Sequence, residues 1–561
     1  MGIVRRFRVW GAVGLLVVAA MTAHAQTPRP EADAEFAGLL QAALTDAYST
    51  IPNLSSTERA QLWDVYVSGG WAPLWVTSDR RPHADARVAL LLLDGASGDG
   101  LDPRDYRAAL LHEMAAALDR VPIPAAADVA AFDAGMSAGV ALFFRDLHAG
   151  RVDPRTIGFR MTVGRDEHNF PALVHSALRA HRLAETASEL VPQFAVYRGL
   201  RTALTTYREL AAGWPFDLPP LPNKALHLGE PYRGLRELRR QLEALGDWPN
   251  DPSVPATSSV YDGAFAEAVM RFQVRHGLDT DGVLGRETME ALRVPLAWRV
   301  RQIELGLERL RWLPHLGKGR FLAVNIPMFR LWAWDAAMPD AMPFSSRVIV
   351  GRALDRETPV FVDEMRHIIF RPYWNVPPGI LRREILPALV RDPRYFERQN
   401  MEIVDGAGDD ARPVDVTAQS VAQLRHGQLR VRQRPGPANA LGLVKFVFPN
   451  EENVYLHATP APQLFARSRR DFSHGCVRVE DAVALAEWVL AARGGWTREG
   501  ILAAMNGTEP MRVDLEQPIQ VILFYITAAI MPEDGSVHFA RDIYGHDATL
   551  DRALVRSGRN R

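Results

Sequence analysis

Tyr455-Leu456-His457 and, after fifteen intervening residues, Ser473 within Phe472-Ser473-His474-Gly475-Cys476-Val477-Arg478 hold the only cysteine of this chain and two of its 16 histidines. His457 closes a run with strand character, so its side chain is aimed from a rigid support. Gly475 lets the backbone come close to a bound carbonyl, and the N–H groups around Gly475 and Cys476 are natural donors to an oxyanion. After Glu480-Asp481 a helix is predicted, with Val483, Ala486, Val489 and Leu490 on one face. The acidic pair suits its N-terminus, and a thiolate near that end would be favoured.

The surrounding sequence sets the fold. Short runs at 321–326, 329–334, 347–350, 367–370, 445–448, 454–457 and 521–525 read as strands. Those at 331–334 and 368–370 carry the β-branched and aromatic residues that strands favour. A mainly β domain is therefore expected over 321–561. Within it, the signal fades between 377 and 437. Residues 381–390 look helical with a kink at Pro387, and charged turns follow. Residues 376–437 are read as an insertion lying over the β domain.

Upstream, Val300, Ile303, Leu307 and Leu310 mark a linking helix in 297–320. A compact unit at 255–296 has Phe265, Val269 and Phe272 on one helix face. His276-Gly277 ends that helix, Asp281-Gly282 turns, and Gly285 precedes a second helix with Met289 and Leu292. The turn-forming stretch 247–253 links it to residues 30–245, which read as a helical domain. There Phe132, Met136, Val140, Phe143 and Leu147 recur at helical spacing, and 214–222 is too rich in proline for helix or central strand. His148 is a lone histidine, read as structural.

Composition limits the function. The chain has 561 residues, 47% of them hydrophobic, enough for several packed domains. The net charge of −1 disfavours a general nucleic-acid binder. One cysteine excludes intramolecular disulfides and multi-cysteine metal sites. Arg5, Arg6 and Arg8, an apolar stretch over 9–21 and Ala23-His24-Ala25 form an export signal over 1–25. The mature chain is then expected outside the cytoplasm, or anchored to the inner membrane if the signal is not cleaved. A thiol kept in an oxidising compartment points to use.

From the residues alone three readings of Cys476 stand. It is a nucleophile with His457 as base, a buried structural cysteine, or a zinc ligand with His457 and His474. The zinc reading lacks a suitably spaced fourth ligand.

The spacing of His457 and Ser473-His474-Gly475-Cys476 resembles the signature of L,D-transpeptidases, the cysteine enzymes of peptidoglycan cross-linking. The family often ends this signature in Asn; Arg478 stands here and matches its large periplasmic branch. Val348-Ile349-Val350-Gly351-Arg352, Thr358-Pro359, Tyr373-Trp374-Asn375-Val376-Pro377-Pro378, Asn439-Ala440-Leu441-Gly442, Lys445-Phe446 and Asp542-Ile543-Tyr544-Gly545 agree with that branch. The 255–296 unit is similar to three-helix peptidoglycan-binding domains. The helical part matches only loosely, through Trp71-Ala72-Pro73-Leu74-Trp75 and Gly100-Leu101-Asp102.

The resemblance implies a multidomain α+β protein: a helical scaffold, a peptidoglycan-binding module and a mainly β catalytic domain with a cap. Cys476 would be the nucleophile and His457 the base, positioned by the Ala458 carbonyl. Ser473, His474 and Gly475 would shape the oxyanion site. Arg478, Trp374, Asn375 and Tyr455 would contact substrate, and the cap would exclude water. No metal or cofactor is implied. Expected partners are peptidoglycan stem peptides and glycan, other cell-wall synthesis enzymes, and carbapenem inhibitors. The same site with water as acceptor would make an L,D-carboxypeptidase, and a silent site would leave a wall-binding scaffold.

Overall fold

The computed structural model describes residues 34–45, 52, 54–161, 168–213, 217–249, 259–313, 319–338, 341–354, 356–408 and 410–559. The expected export signal, residues 214–216 of the proline-rich crossing and the end of the 247–253 linker lie outside them.

The N-terminal part is helical and centres on the Ala126–Ala149 helix, buried along nearly its whole length. By length and hydropathy this helix could cross a membrane, but its neighbours here are other helices of the same core. One polar group holds that core in register. The buried Asp133 carboxylate accepts from the Leu74 and Trp75 N–H groups, each at 2.8 Å, and from the Tyr66 hydroxyl at 2.7 Å. The Trp75 indole donates to Ser137 at 2.7 Å. The Trp71–Trp75 segment is thus pinned by hydrogen bonds that a buried polar group requires. His148 lies 4.5 Å from the His168 ring and 6.1 Å from Phe170, within this packing.

The small module has three helices: Leu235–Ala244, Gly263–Arg275 and Arg286–Leu292. Its core unites Leu235, Leu238 and Leu242 with Phe265, Val269 and Phe272. The unit therefore draws in a helix upstream of residue 255, because two short helices bury too little apolar area alone. Gln273 is buried and ties the Asp281-Gly282 turn through bonds of 2.8 and 2.9 Å. The Leu296–Leu310 helix then packs between the scaffold and the β domain.

Among the described residues fifteen strands follow. β1 (Arg320–Asn325), β2 (Arg330–Asp335), β3 (Phe344–Gly351), β4 (Phe361–Phe370), β9 (Val444–Val447), β10 (Leu456–His457), β11 (Asp471–Ser473), β12 (Val477–Val479) and β13 (Met511–Phe524) form one sheet. Their order is β11-β3-β12-β10-β9-β4-β13-β1-β2, and a β2–β3 pairing closes it into a barrel. β14 (Ala528–Ile530) and β15 (Val537–Phe539) make a hairpin against the linking helix. β13 starts ten residues before the run expected at 521–525, and its register with β4 shifts between Asp514 and Ile519. Pro518 lies in that interval and has no N–H for the ladder. The charged residues of its first half hid it from the sequence pattern.

The insertion has its own core, built on Ile380, Leu381, Ile385, Phe396, Ile403 and Val431. It contains a sheet that the sequence did not reveal: β5 (Trp374–Asn375), β6 (Met401–Asp405), β7 (Arg412–Val414) and β8 (Arg430–Gln433), ordered β5-β8-β6-β7. Three of these strands have only two to four residues, too short for a period to register. In place of a simple kink at Pro387, a π-turn spans Leu381–Ile385, with the Leu386 N–H bonded to the Leu381 carbonyl. The wider turn precedes a residue that has no N–H to give.

Candidate active site

β10 and β12 run parallel, with Leu456 opposite Val477 and His457 opposite Arg478. Leu456, Val477 and Val479 enter the main core. Alternation then puts His457, Arg478 and Cys476 on the other face, joined by Lys445, which pairs with His457 across β9. The core thus fixes which face carries the chemistry.

His457 is buried, and its Nδ1 meets the Ala458 carbonyl at 2.6 Å. Donation there leaves Nε2 as the unprotonated nitrogen. The Asn439-Ala440-Leu441-Gly442 turn backs this arrangement. Asn439 Nδ2 donates to the Pro372 and Arg434 carbonyls, at 3.1 and 3.0 Å. Gly442 has φ +65°, and a Cβ there would stand 2.7 Å from the Ala458 Cβ. Burial, then the Arg478 and Lys445 charges, pushes His457 down to about 3, so its ring is neutral at neutral pH.

Cys476 is half-buried. Its Sγ points to the Asn453 carbonyl at 3.7 Å, and the Tyr455 hydroxyl also bonds to it. Among the described residues no hydrogen bond joins Sγ to His457; the two share a face on adjacent strands. Burial raises the thiol, while Lys445 and Arg478 oppose that rise. Tyr455 lies with its ring 5.7 Å from His457 and 3.8 Å from the Lys445 ammonium. Arg478 is half-buried, and among the described residues it has no carboxylate partner.

The loop before Cys476 is arranged differently from the sequence expectation. Gly475 takes φ +118°, where glycine is favoured. Its N–H donates to Ser473 Oγ at 3.2 Å, so it is already engaged. Ser473 in turn donates to the Cys476 carbonyl at 2.5 Å. The His474 side chain turns away, meeting Glu384 of the insertion at 2.8 Å and the Arg356 guanidinium. Burial alone would raise Glu384, but His474 and Arg356 outweigh it and hold the carboxyl low. His474 is turned toward Glu384 and Arg356 rather than toward Cys476 and His457, and no metal-binding group of three His, Cys, Asp or Glu occurs among the described residues.

Trp374 packs against the core of the insertion, and Asn375 is exposed on β5. Among the described residues no hydrogen bond or ring contact joins either of them to Cys476 or His457. Sequence reasoning missed Arg356 and Glu384 as partners of His474, and no motif marks them. It quoted Thr358 and Tyr544 without a role. Thr358 Oγ1 donates to the Gly475 carbonyl at 2.7 Å, and Tyr544 donates to the Gly351 carbonyl at 2.5 Å.

Comparison with known families agrees with this architecture. Residues 319–513 match the L,D-transpeptidase catalytic domain, residues 60–204 a scaffold domain, and residues 233–292 a domain described as "Putative peptidoglycan binding domain". A Haemophilus influenzae protein named "Putative L,D-transpeptidase" is 34% identical over 257 residues, 46% of this chain and 50% of that protein. The chain thus spans about half the length of that relative. With the face carrying Cys476 and His457 inside the matched segment, this chain carries an L,D-transpeptidase catalytic domain joined to a peptidoglycan-binding domain.

Proposed function

We propose that the chain is a periplasmic peptidoglycan L,D-transpeptidase that forms 3→3 cross-links through a thioester on Cys476. One observation carries the reading. The sole cysteine and a neutral, tautomer-fixed histidine share one face of adjacent strands.

The thiol turns from the Asn453 carbonyl toward His457 and attacks the carbonyl of the third stem residue, the L-centre of diaminopimelate. His457 takes the thiol proton and returns it to the departing amine of D-alanine as the C–N bond breaks. The Cys476 N–H, which has no acceptor among the described residues, is the donor left for the oxyanion. Arg478 offers an unpaired guanidinium to a substrate carboxylate. The amine of a second diaminopimelate then attacks the thioester and frees the thiol. The insertion, tied to His474 through Glu384, keeps water from the thioester.

The peptidoglycan-binding domain supports a location at the wall. Carbapenems would acylate the same thiol, and enzymes that trim stems to tetrapeptides would supply the donor. The test is mass-spectrometric product analysis with a disaccharide-tetrapeptide, alongside Cys476→Ala. The expected product is a dimer of two substrates less one D-alanine, absent with the variant. Tripeptide alone would make the chain an L,D-carboxypeptidase, and no product would leave a wall-binding scaffold.

A further inference from the structure

Arg330 on β2 and Arg347 on β3 stand directly opposite each other across antiparallel strands. Like charges so placed destabilise a sheet. A third cation joins them. Arg470, immediately before β11, donates to the Arg467, Val348 and Phe329 carbonyls at 2.6, 3.3 and 3.4 Å. Its guanidinium stacks 5.3 Å from the Phe329 ring centroid. Among the described residues Glu480, 2.6 Å from Arg347, is the only carboxylate paired with any of the three. Burial, then Arg347 and Arg330, pushes Arg470 down to about 10.

The cluster lines a cleft of about 500 Å³, whose far wall is the end of the module's Gly263–Arg275 helix and the following turn to Thr280. The nearby carboxylates have other partners. Glu287 pairs with Arg541, Glu533 accepts from Trp332, and Asp534 pairs with His538. Asp279 is exposed on the module's wall of the cleft. Glu480 holds Arg347 and main-chain carbonyls hold Arg470, but carbonyls bring no full charge, so the cluster has one counter-ion for three cations. An anion in the cleft would balance it, and guanidinium forks match carboxylates.

Position indicates which anion. Alternation places Arg347 on the face of β3 that holds Ile349, and Ile349 pairs with Arg478, the neighbour of His457. Arg347 and Gly351 are four residues apart along β3, roughly 13 Å at strand rise. Gly351 pairs with Ser473 of the nucleophile loop. Val348, Ile349 and Val350 are fully buried, so β3 only sets the separation of its two ends, which a peptide of about four extended residues matches.

We infer that Arg330, Arg347 and Arg470 form an anion site that holds a free carboxylate of a peptidoglycan stem peptide, between the peptidoglycan-binding module and Cys476. This rests on the proposed transpeptidase reading. The test is calorimetric titration of the full chain carrying Cys476→Ala. The probes are a disaccharide-tetrapeptide, the same compound with its carboxylates amidated, and inorganic phosphate. Arg330→Gln and Arg470→Gln should each weaken native-stem binding tenfold or more and leave amidated-stem binding within twofold. Arg330→Gln should also raise the melting temperature of the free chain, because it relieves the like-charge pair. Native-stem binding within twofold of the parent in both variants overturns the site. So does arginine-dependent binding of phosphate with none of the stem. With Cys476 intact, a thioester adduct alongside unaffected binding would sink this site and leave the enzyme reading standing. Arginine-dependent binding without an adduct would do the reverse.

Discussion

The Thr358 hydroxyl donates to the Gly475 carbonyl at 2.7 Å and accepts the Gly351 N–H at 2.8 Å. It therefore couples the end of β3 to the peptide next to the cysteine. Tyr544 stands behind it, accepting the Thr358 N–H at 3.2 Å and donating to the Gly351 carbonyl. Its backbone N–H reaches the Tyr525 hydroxyl at 3.1 Å. Tyr544 lies beyond the matched catalytic segment, which ends at 513.

Tyr544→Phe should leave the Gly351 carbonyl and the Thr358 N–H without their partner, at a cost of about 1–3 kcal/mol. The loop would loosen, and a small misplacement of a nucleophile slows reaction. The expected result is a Cys476 acylation rate lower by roughly tenfold, with substrate affinity little changed. Single-turnover mass spectrometry beside thermal melts checks this. A rate equal to the parent's would remove Tyr544 from the positioning of the loop.

The thiol and imidazole are poised as a neutral pair. Burial raises Cys476 above its ordinary 9.0, and His457 is held at about 3. Alkylation of Cys476 by iodoacetamide should therefore rise with pH to beyond 9, with no inflection near 6.5. A plateau starting below pH 7 would mean a preformed thiolate–imidazolium pair and would contradict the geometry.

Much of this was legible from Cys476, His457 and their surroundings. The strand ending at His457, the helix after Asp481 and the module helix with Phe265, Val269 and Phe272 have strong local signals. Other features depend on pairings that a sequence does not display. The His474 ring faces the insertion because Arg356 and Glu384, far apart in sequence, converge on it. Trp374 reads as a site residue by motif, yet its ring packs on the insertion's own core. The first half of β13 is charged because one flank is exposed, so no apolar run marked it.

Buried histidines set the acid limb of stability. His457 and His546 are pushed down to about 3 and 4 by burial, so the native state binds fewer protons than the unfolded chain below pH 6.5. Stability should fall as pH drops from 6.5 toward 4. Asp133 acts in the opposite direction. Burial raises it to about 6, so the native state keeps a proton that the unfolded chain loses near 3.8. The histidine displacements are larger, so the net slope should be positive with pH. Melting temperatures at pH 4.5 and 7 check this, and His546→Gln should shrink the difference. A chain equally stable at both values would show that these imidazoles are solvated in the native state.

Glu384 ties the insertion to the nucleophile loop, through His474 at 2.8 Å and Arg356 at 2.9 Å. Both partners lie on the barrel side, whereas Glu384 sits in the π-turn of the insertion. The contact is partly exposed, so its loss should cost at most about 1 kcal/mol and leave the fold intact. Its consequence should appear in the fate of the thioester. With Glu384→Gln the insertion would open more often, and water would compete better with the acceptor amine. The ratio of tripeptide to cross-linked dimer should rise by up to about fivefold, since a shift of about 1 kcal/mol in a two-state closure changes its population by about that factor. Carbapenem acylation should change little, because the thiol and His457 are untouched. Product ratios at fixed donor and acceptor concentrations decide the matter. An unchanged ratio with a normal melting temperature would mean that the insertion stays closed without this contact.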